Sequence, residues 1–126
     1  VPPMKHPLRS TLLIWLFTAF CALGADGPYR HIVMFKFKDD ASPAAVREVE
    51  EAFAALPKSI PSVTGFEWGT NVSPEDRAKG FTHCFIVTFK NRAGLDVYLP
   101  HDDHQAFVKI LKPILDDVFV FDFIGK

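Results

Sequence analysis

Two cysteines in 126 residues, Cys21 inside an apolar N-terminal run and Cys84 in the body of the chain, exclude an internal disulfide framework. Stability must therefore come from packing, from association, or from both. Charge of one sign is also missing, since 14 Lys and Arg stand against 15 Asp and Glu. No basic stripe is available for nucleic acid or for an anionic membrane surface. Glycine is sparse, with 7 residues, and no Gly-rich loop leads into a helix, so the phosphate-cradling motifs are absent. The body of the chain has no internal repeat, low-complexity tract or linker, which leaves one domain with one core.

The single long hydrophobic run is Leu12 to Leu23, preceded by the basic segment Met4-Lys5-His6-Pro7-Leu8-Arg9. Val1-Pro2-Pro3 read as residues upstream of a true initiator. With small residues at Ala22 and Gly24, residues 1–24 read as a secretory signal cleaved after Gly24, which makes the product secreted or periplasmic. The run is shorter than the roughly 20 apolar residues of a bilayer span, so an uncleaved N-terminal membrane anchor is the second reading. Residues 25–126 then form one small domain. Removing Lys5 and Arg9 without any acid makes that domain mildly acidic. Cys84, in an apolar strand pattern, reads as an inert buried thiol.

Within the domain, Tyr29–Lys38 alternates His31, Val33, Phe35 and Phe37 against Ile32, Met34 and Lys36, the period of a strand. Ser42-Pro43 is a cap followed by a proline at the first helical position, and Val46, Val49, Phe53 and Leu56 recur at helical spacing until Pro57 and Pro61. Val63–Thr70 and Phe81–Phe89 are two further strands around a polar loop, Asn71–Gly80. Helical stretches follow through Leu95 and Tyr98 and again from His104 to about Leu115, with Pro113 shortening the second. Val118–Ile124 is the last strand. The order suits an α+β, ferredoxin-like βαββαβ protomer, a four-stranded antiparallel sheet with its helices on one face. Ile32, Met34, Ile86, Val118, Val120 and Ile124 are expected on the opposite face. An apolar face of that size marks an interface, here between two copies of the chain.

The stretch richest in chemistry is Tyr98-Leu-Pro-His101-Asp-Asp-His104-Gln-Ala-Phe107. Pro100 interrupts the chain, and Asp102 or Asp103 is placed to cap the next helix. A helix starting there holds His104 in its first turn, where the dipole favours a neutral imidazole able to act as a base. His83 is expected to pack within the strand layer or to hydrogen-bond the backbone.

Several ordered blocks together resemble the stress-responsive dimeric α/β-barrel (Dabb) proteins over His31 to Asp122. They are His31-Ile-Val-Met-Phe-Lys-Phe-Lys38, Glu67-Trp68-Gly69, Gly80-Phe81-Thr82-His83, Tyr98 with His101 and His104, and Phe121-Asp122. The resemblance implies a dimer whose two sheets form a barrel, and it implies no single activity. One member is a plant polyketide cyclase that closes a ring by aldol condensation without a cofactor. Its tyrosine and histidine match Tyr98 and His104, which would be hydrogen-bond donor and general base. A first-strand histidine matching His31 lies in the same pocket, with Val33 and Phe35 as its apolar wall and His101 nearby.

Three readings follow, in this order. The first is a stress-associated homodimer that binds a small hydrophobic or carbonyl-containing molecule. The second is a cofactor-free lyase, cyclase or isomerase using His104 and Tyr98. The third is a metal site built from His101 and His104 with His31 or an Asp.

Overall fold

Alternation within Tyr29–Phe37 buries Tyr29, His31, Val33 and Phe35 and leaves Arg30, Ile32, Met34 and Lys36 half-buried, which defines strand β1. The computed structural model describes residues 1–4 and 27–126. The Leu12–Leu23 run and the cleavage position after Gly24 lie outside the described residues. Ser42 caps helix α1 (Pro43–Ser59), its Oγ accepting from the Ala45 N–H at 3.1 Å, and Pro43 occupies the first turn as expected. Val49, Phe53 and Leu56 form the buried stripe of α1. Pro57 does not end the helix. Proline removes only its own donor, and the chain continues to Ser59 with the Ile60 N–H closing on the Leu56 carbonyl at 2.9 Å.

Strand β2 (Val63–Thr70) has its expected bounds, whereas strand β3 runs from His83 to Phe89 and starts two residues late. Phe81 is still in the loop, its N–H turned back to the Ala78 carbonyl, where Gly80 adopts φ 85°. Helices α2 (Arg92–Tyr98) and α3 (Asp102–Leu111) are separated by Leu99-Pro100-His101. A 3₁₀ turn, Lys112–Ile114, contains Pro113 and leads into strand β4 (Leu115–Ile124). The sheet order is β2-β3-β1-β4 with every neighbouring pair antiparallel, and α1 packs on α3 over one face. This is the ferredoxin-like βαββαβ protomer, its second connection divided into two helices.

The core is aromatic. Phe53 from α1 stacks on Phe85 from β3 at 4.2 Å between ring centroids and touches Phe107 from α3 at 4.6 Å, while Phe35 from β1 packs beside all three. These rings join the sheet to both long helices and fix the floor on which the site stands.

The pairing of β1 with β4 reverses the faces expected for the last strand. Val118, Val120 and Ile124 lie opposite Phe35, Val33 and Tyr29 on the helix side. Phe119, Phe121 and Phe123 lie opposite Met34, Ile32 and Arg30 on the outer side. Both alternating sets of β4 are apolar, so periodicity alone does not choose between them, and only the register with β1 does. Ile32, Met34 and Ile86 keep the outer position expected of them. The outer face is therefore greasier than expected, with Phe119 and Phe121 50 and 54 % exposed.

Candidate functional site

Helices α2 and α3 do not seal the sheet over its β1–β4 edge. A cavity of about 560 Å³ opens there. Val33, Phe35, Phe53, Leu95, Phe107 and Leu111 form its apolar wall, Val118 and Val120 its open side, and Arg92 and Lys112 stand on its rim. Tyr98, His104 and His31 converge at one end, so five of the six residues expected to form a site meet in one space.

The local fold explains how His104 is held. Helix α2 ends at Tyr98, and the carbonyls of a helix's last turn have no partner within it. Leu99, the residue after that end, offers its carbonyl to His104 Nδ1 at 2.9 Å and to Gln105 Nε2 at 2.8 Å. A carbonyl only accepts, so Nδ1 carries the hydrogen and the lone pair of the neutral ring is on Nε2. Burial, chiefly, lowers the His104 pKa below the ordinary imidazole value, against the Leu99 hydrogen bond, which raises it, and the charges of His31 and His101 add to the lowering.

Tyr98 is 1 % exposed, with its ring 4.5 Å from that of His104 and 6.1 Å from that of His31. Burial raises its phenol well above the usual range, which keeps it a neutral O–H donor. Among the described residues its hydroxyl has no protein hydrogen-bond partner, nor has Nε2 of His31 or of His104, and all three residues line the cavity.

His31 Nδ1 donates to Asp122 Oδ1 at 2.7 Å, and the Tyr29 hydroxyl donates to Asp122 Oδ2 at 2.8 Å. Asp122 faces the cavity from β4 directly opposite His31 on β1. The Tyr29 phenol is raised, first by its hydrogen bond to Asp122 and then by burial. Neither Tyr29 nor Asp122 was expected in the site, although Asp122 belongs to one of the blocks that carry the family resemblance. The available signal was one acid inside the otherwise apolar Val118–Ile124, where a charge needs a partner.

His101 stays outside the group. It is the N-cap of α3, its Nδ1 accepting from the Asp103 N–H at 3.1 Å, in the role expected of Asp102 or Asp103. With Nδ1 so engaged, the metal reading lacks its ligand set, and among the described residues no three His, Cys, Asp or Glu side chains gather as one. His83 packs within the strand layer as expected, Nδ1 against Thr82 Oγ1 at 2.7 Å and its ring edge-on to Phe37. A second hollow of about 570 Å³ lies beneath the 71–80 loop and is bounded by Met34, Cys84, Ile86 and Phe119 of the outer face.

Residues 29–124 match the stress responsive A/B barrel domain. The chain is 35 % identical to the stress-response A/B barrel domain-containing protein HS1 of Arabidopsis thaliana, over 79 % of this chain and 91 % of that protein. It is 27 % identical to olivetolic acid cyclase of Cannabis sativa, over 75 % and 93 %. Among solved structures, the hydroxynitrile lyase of Passiflora edulis superposes with a TM-score of 0.75 at 27 % identity, over 80 % of this chain and 95 % of that one. A dimeric ferredoxin-like protein of unknown function from Thermobifida fusca gives 0.68 at 27 %, over 79 % and 92 %. The fold and these likenesses agree, and the chain belongs to the stress responsive A/B barrel domain family.

Proposed function

We propose that this protein is a homodimeric, cofactor-free lyase or cyclase that moves a proton on a small apolar carbonyl compound held in the β1–β4 cavity. One observation carries the reading. His104 spends Nδ1–H on the Leu99 carbonyl, is pushed toward its neutral form by burial, and keeps Nε2 without a protein partner in the cavity beside the partnerless Tyr98 hydroxyl. In such a site Nε2 takes a proton from the carbon next to a carbonyl, and the Tyr98 O–H donates to the oxygen on which the enolate charge collects. The cyclase and lyase relatives support the chemical class. The dimeric neighbours and the apolar outer face support the homodimer.

Deuterium exchange at the carbon next to the carbonyl of benzylacetone, followed by NMR in heavy water, tests the reading. Wild-type protein accelerates the exchange, and His104→Ala loses about 10²–10⁴-fold of that acceleration. Binding without turnover is the second reading, favoured by the higher identity to a relative named for stress response. It predicts that both proteins bind benzylacetone alike and that neither exchanges it. Export is proposed as well, from the basic Met4–Arg9 segment ahead of Leu12–Leu23. Protein recovered from a secreting host should begin at Ala25 by mass spectrometry, and a cytosolic product retaining Met4 would count against export.

A further inference from the structure

We infer that the hollow beneath the 71–80 loop is a socket for a second copy of this chain, entered by the phenylalanine ridge of the partner's β4. The inference rests on the homodimer of the proposed function and adds how the two copies interlock. Strand registers arrange the outer face in rows that run across the sheet from β2 to β4. Gly69, Glu67 and Gly65 begin three successive rows at the β2 edge, and Phe119, Phe121 and Phe123 end the same three at the β4 edge. Every row therefore closes on a ring, and two of them open without a side chain. The face is a wedge, thin along β2 and thick along β4. A Cβ at Gly69 would meet nothing within 4 Å. The hollow, about 570 Å³, adjoins that open position and is floored by Met34, Cys84 and Ile86.

Shape and symmetry together select the occupant. A two-fold dimer presents the same patch twice, so a projection on one copy needs a depression on the same face of the other. This face carries both, since Phe119, Phe121 and Phe123 are 50, 54 and 39 % exposed while the hollow stands at the opposite edge. β2 and β4 are also the two free edges of the sheet. Setting the β4 edge of each copy beside the β2 edge of the other brings thick to thin at both seams and fills both hollows at once. Setting β4 against β4 puts ring on ring and leaves both hollows empty, an arrangement that close packing disfavours. Small barrels are filled in the first way, with large and small inward side chains as neighbours.

Gly69→Trp fills the socket from within. The new side chain enters open space, and a strand accepts tryptophan more readily than glycine, so the protomer should fold with the far-UV spectrum of the wild type. Sedimentation should show its dimer dissociating about 30-fold more readily or worse, the effect of losing a central contact. Adding Phe119→Ala, Phe121→Ala or Phe123→Ala in turn removes one ring and makes room. One of the three should recover about tenfold of the lost affinity, because knob and socket are coupled. Cys84 on the socket floor gives a second readout. N-ethylmaleimide should label it about tenfold more slowly in the wild-type dimer than in a Phe121→Lys monomer, followed by peptide mass spectrometry. A dimer that Gly69→Trp leaves as tight as the wild type, no recovery with any ring removed, or equal labelling of Cys84 overturns the socket and leaves the homodimer standing. A monomeric wild-type protein overturns both.

Discussion

Burial drives the His104 imidazole toward its neutral form, and the neighbouring His31 and His101 act in the same direction. The effect reaches stability as well as chemistry. Because the folded-state pKa lies below the ordinary 6.5, the unfolded chain binds this proton more readily than the folded one. Above that value His104 is neutral in both states and its full contribution is present. As pH falls through it, the unfolded state is protonated first and stability declines until the folded ring is protonated too. The urea midpoint of the wild-type protein is therefore expected to drop between pH 7 and pH 5 by more than that of His104→Gln. Equal drops would show that the ring carries no such linkage. Proton abstraction should fail over the same acidic range, since a protonated Nε2 accepts nothing.

At the scale of the element, the break between α2 and α3 makes the site. Leu99-Pro100-His101 ends one helix, releases the carbonyl that holds His104 and starts the next helix with an imidazole as cap. His101→Ala removes that cap and should cost about 1 kcal/mol in denaturant unfolding, whereas His101→Asn keeps an acceptor and should cost little. Equal losses would mean that His101 acts through something other than its cap. Elements with a polar boundary or a one-sided pattern were legible in the chain. Ser42-Pro43 opens α1, Pro61 and the Asn71–Gly80 loop bracket β2, and the His31, Val33 and Phe35 alternation marks the buried side of β1. Of the site, Tyr98, His104 and His31 were legible as a group only through family likeness. The faces of β4 were not legible, because Val118 and Val120 compete with Phe119, Phe121 and Phe123 as equally apolar sets. The Tyr29–Asp122–His31 contact was not either, since it joins residues 93 and 91 positions apart, a distance no local pattern spans.

For the whole molecule, the proposed homodimer is argued from the outer sheet face. Phe119 and Phe121 stand opposite Met34 and Ile32, with Phe123 opposite Arg30 and Ile86 next to Ile32, and no helix among the described residues covers them. β4 is also an edge strand, so an apolar band borders unpaired backbone groups, a combination that a lone soluble domain avoids. Closing two such faces on one another removes both exposures at once. Phe121 is the most exposed of the three rings and lies opposite Ile32. Phe121→Lys places a charge in that seam, and sedimentation at micromolar concentration should then shift from dimer to monomer. Val120→Lys changes the adjacent residue, but its side chain faces the cavity. It should leave the dimer intact while blocking benzylacetone binding. The pair separates the two faces of a single strand within one experiment. A wild-type protein that sediments as a monomer, or a dimer that Val120→Lys splits and Phe121→Lys does not, would place the interface somewhere other than the outer face of β4.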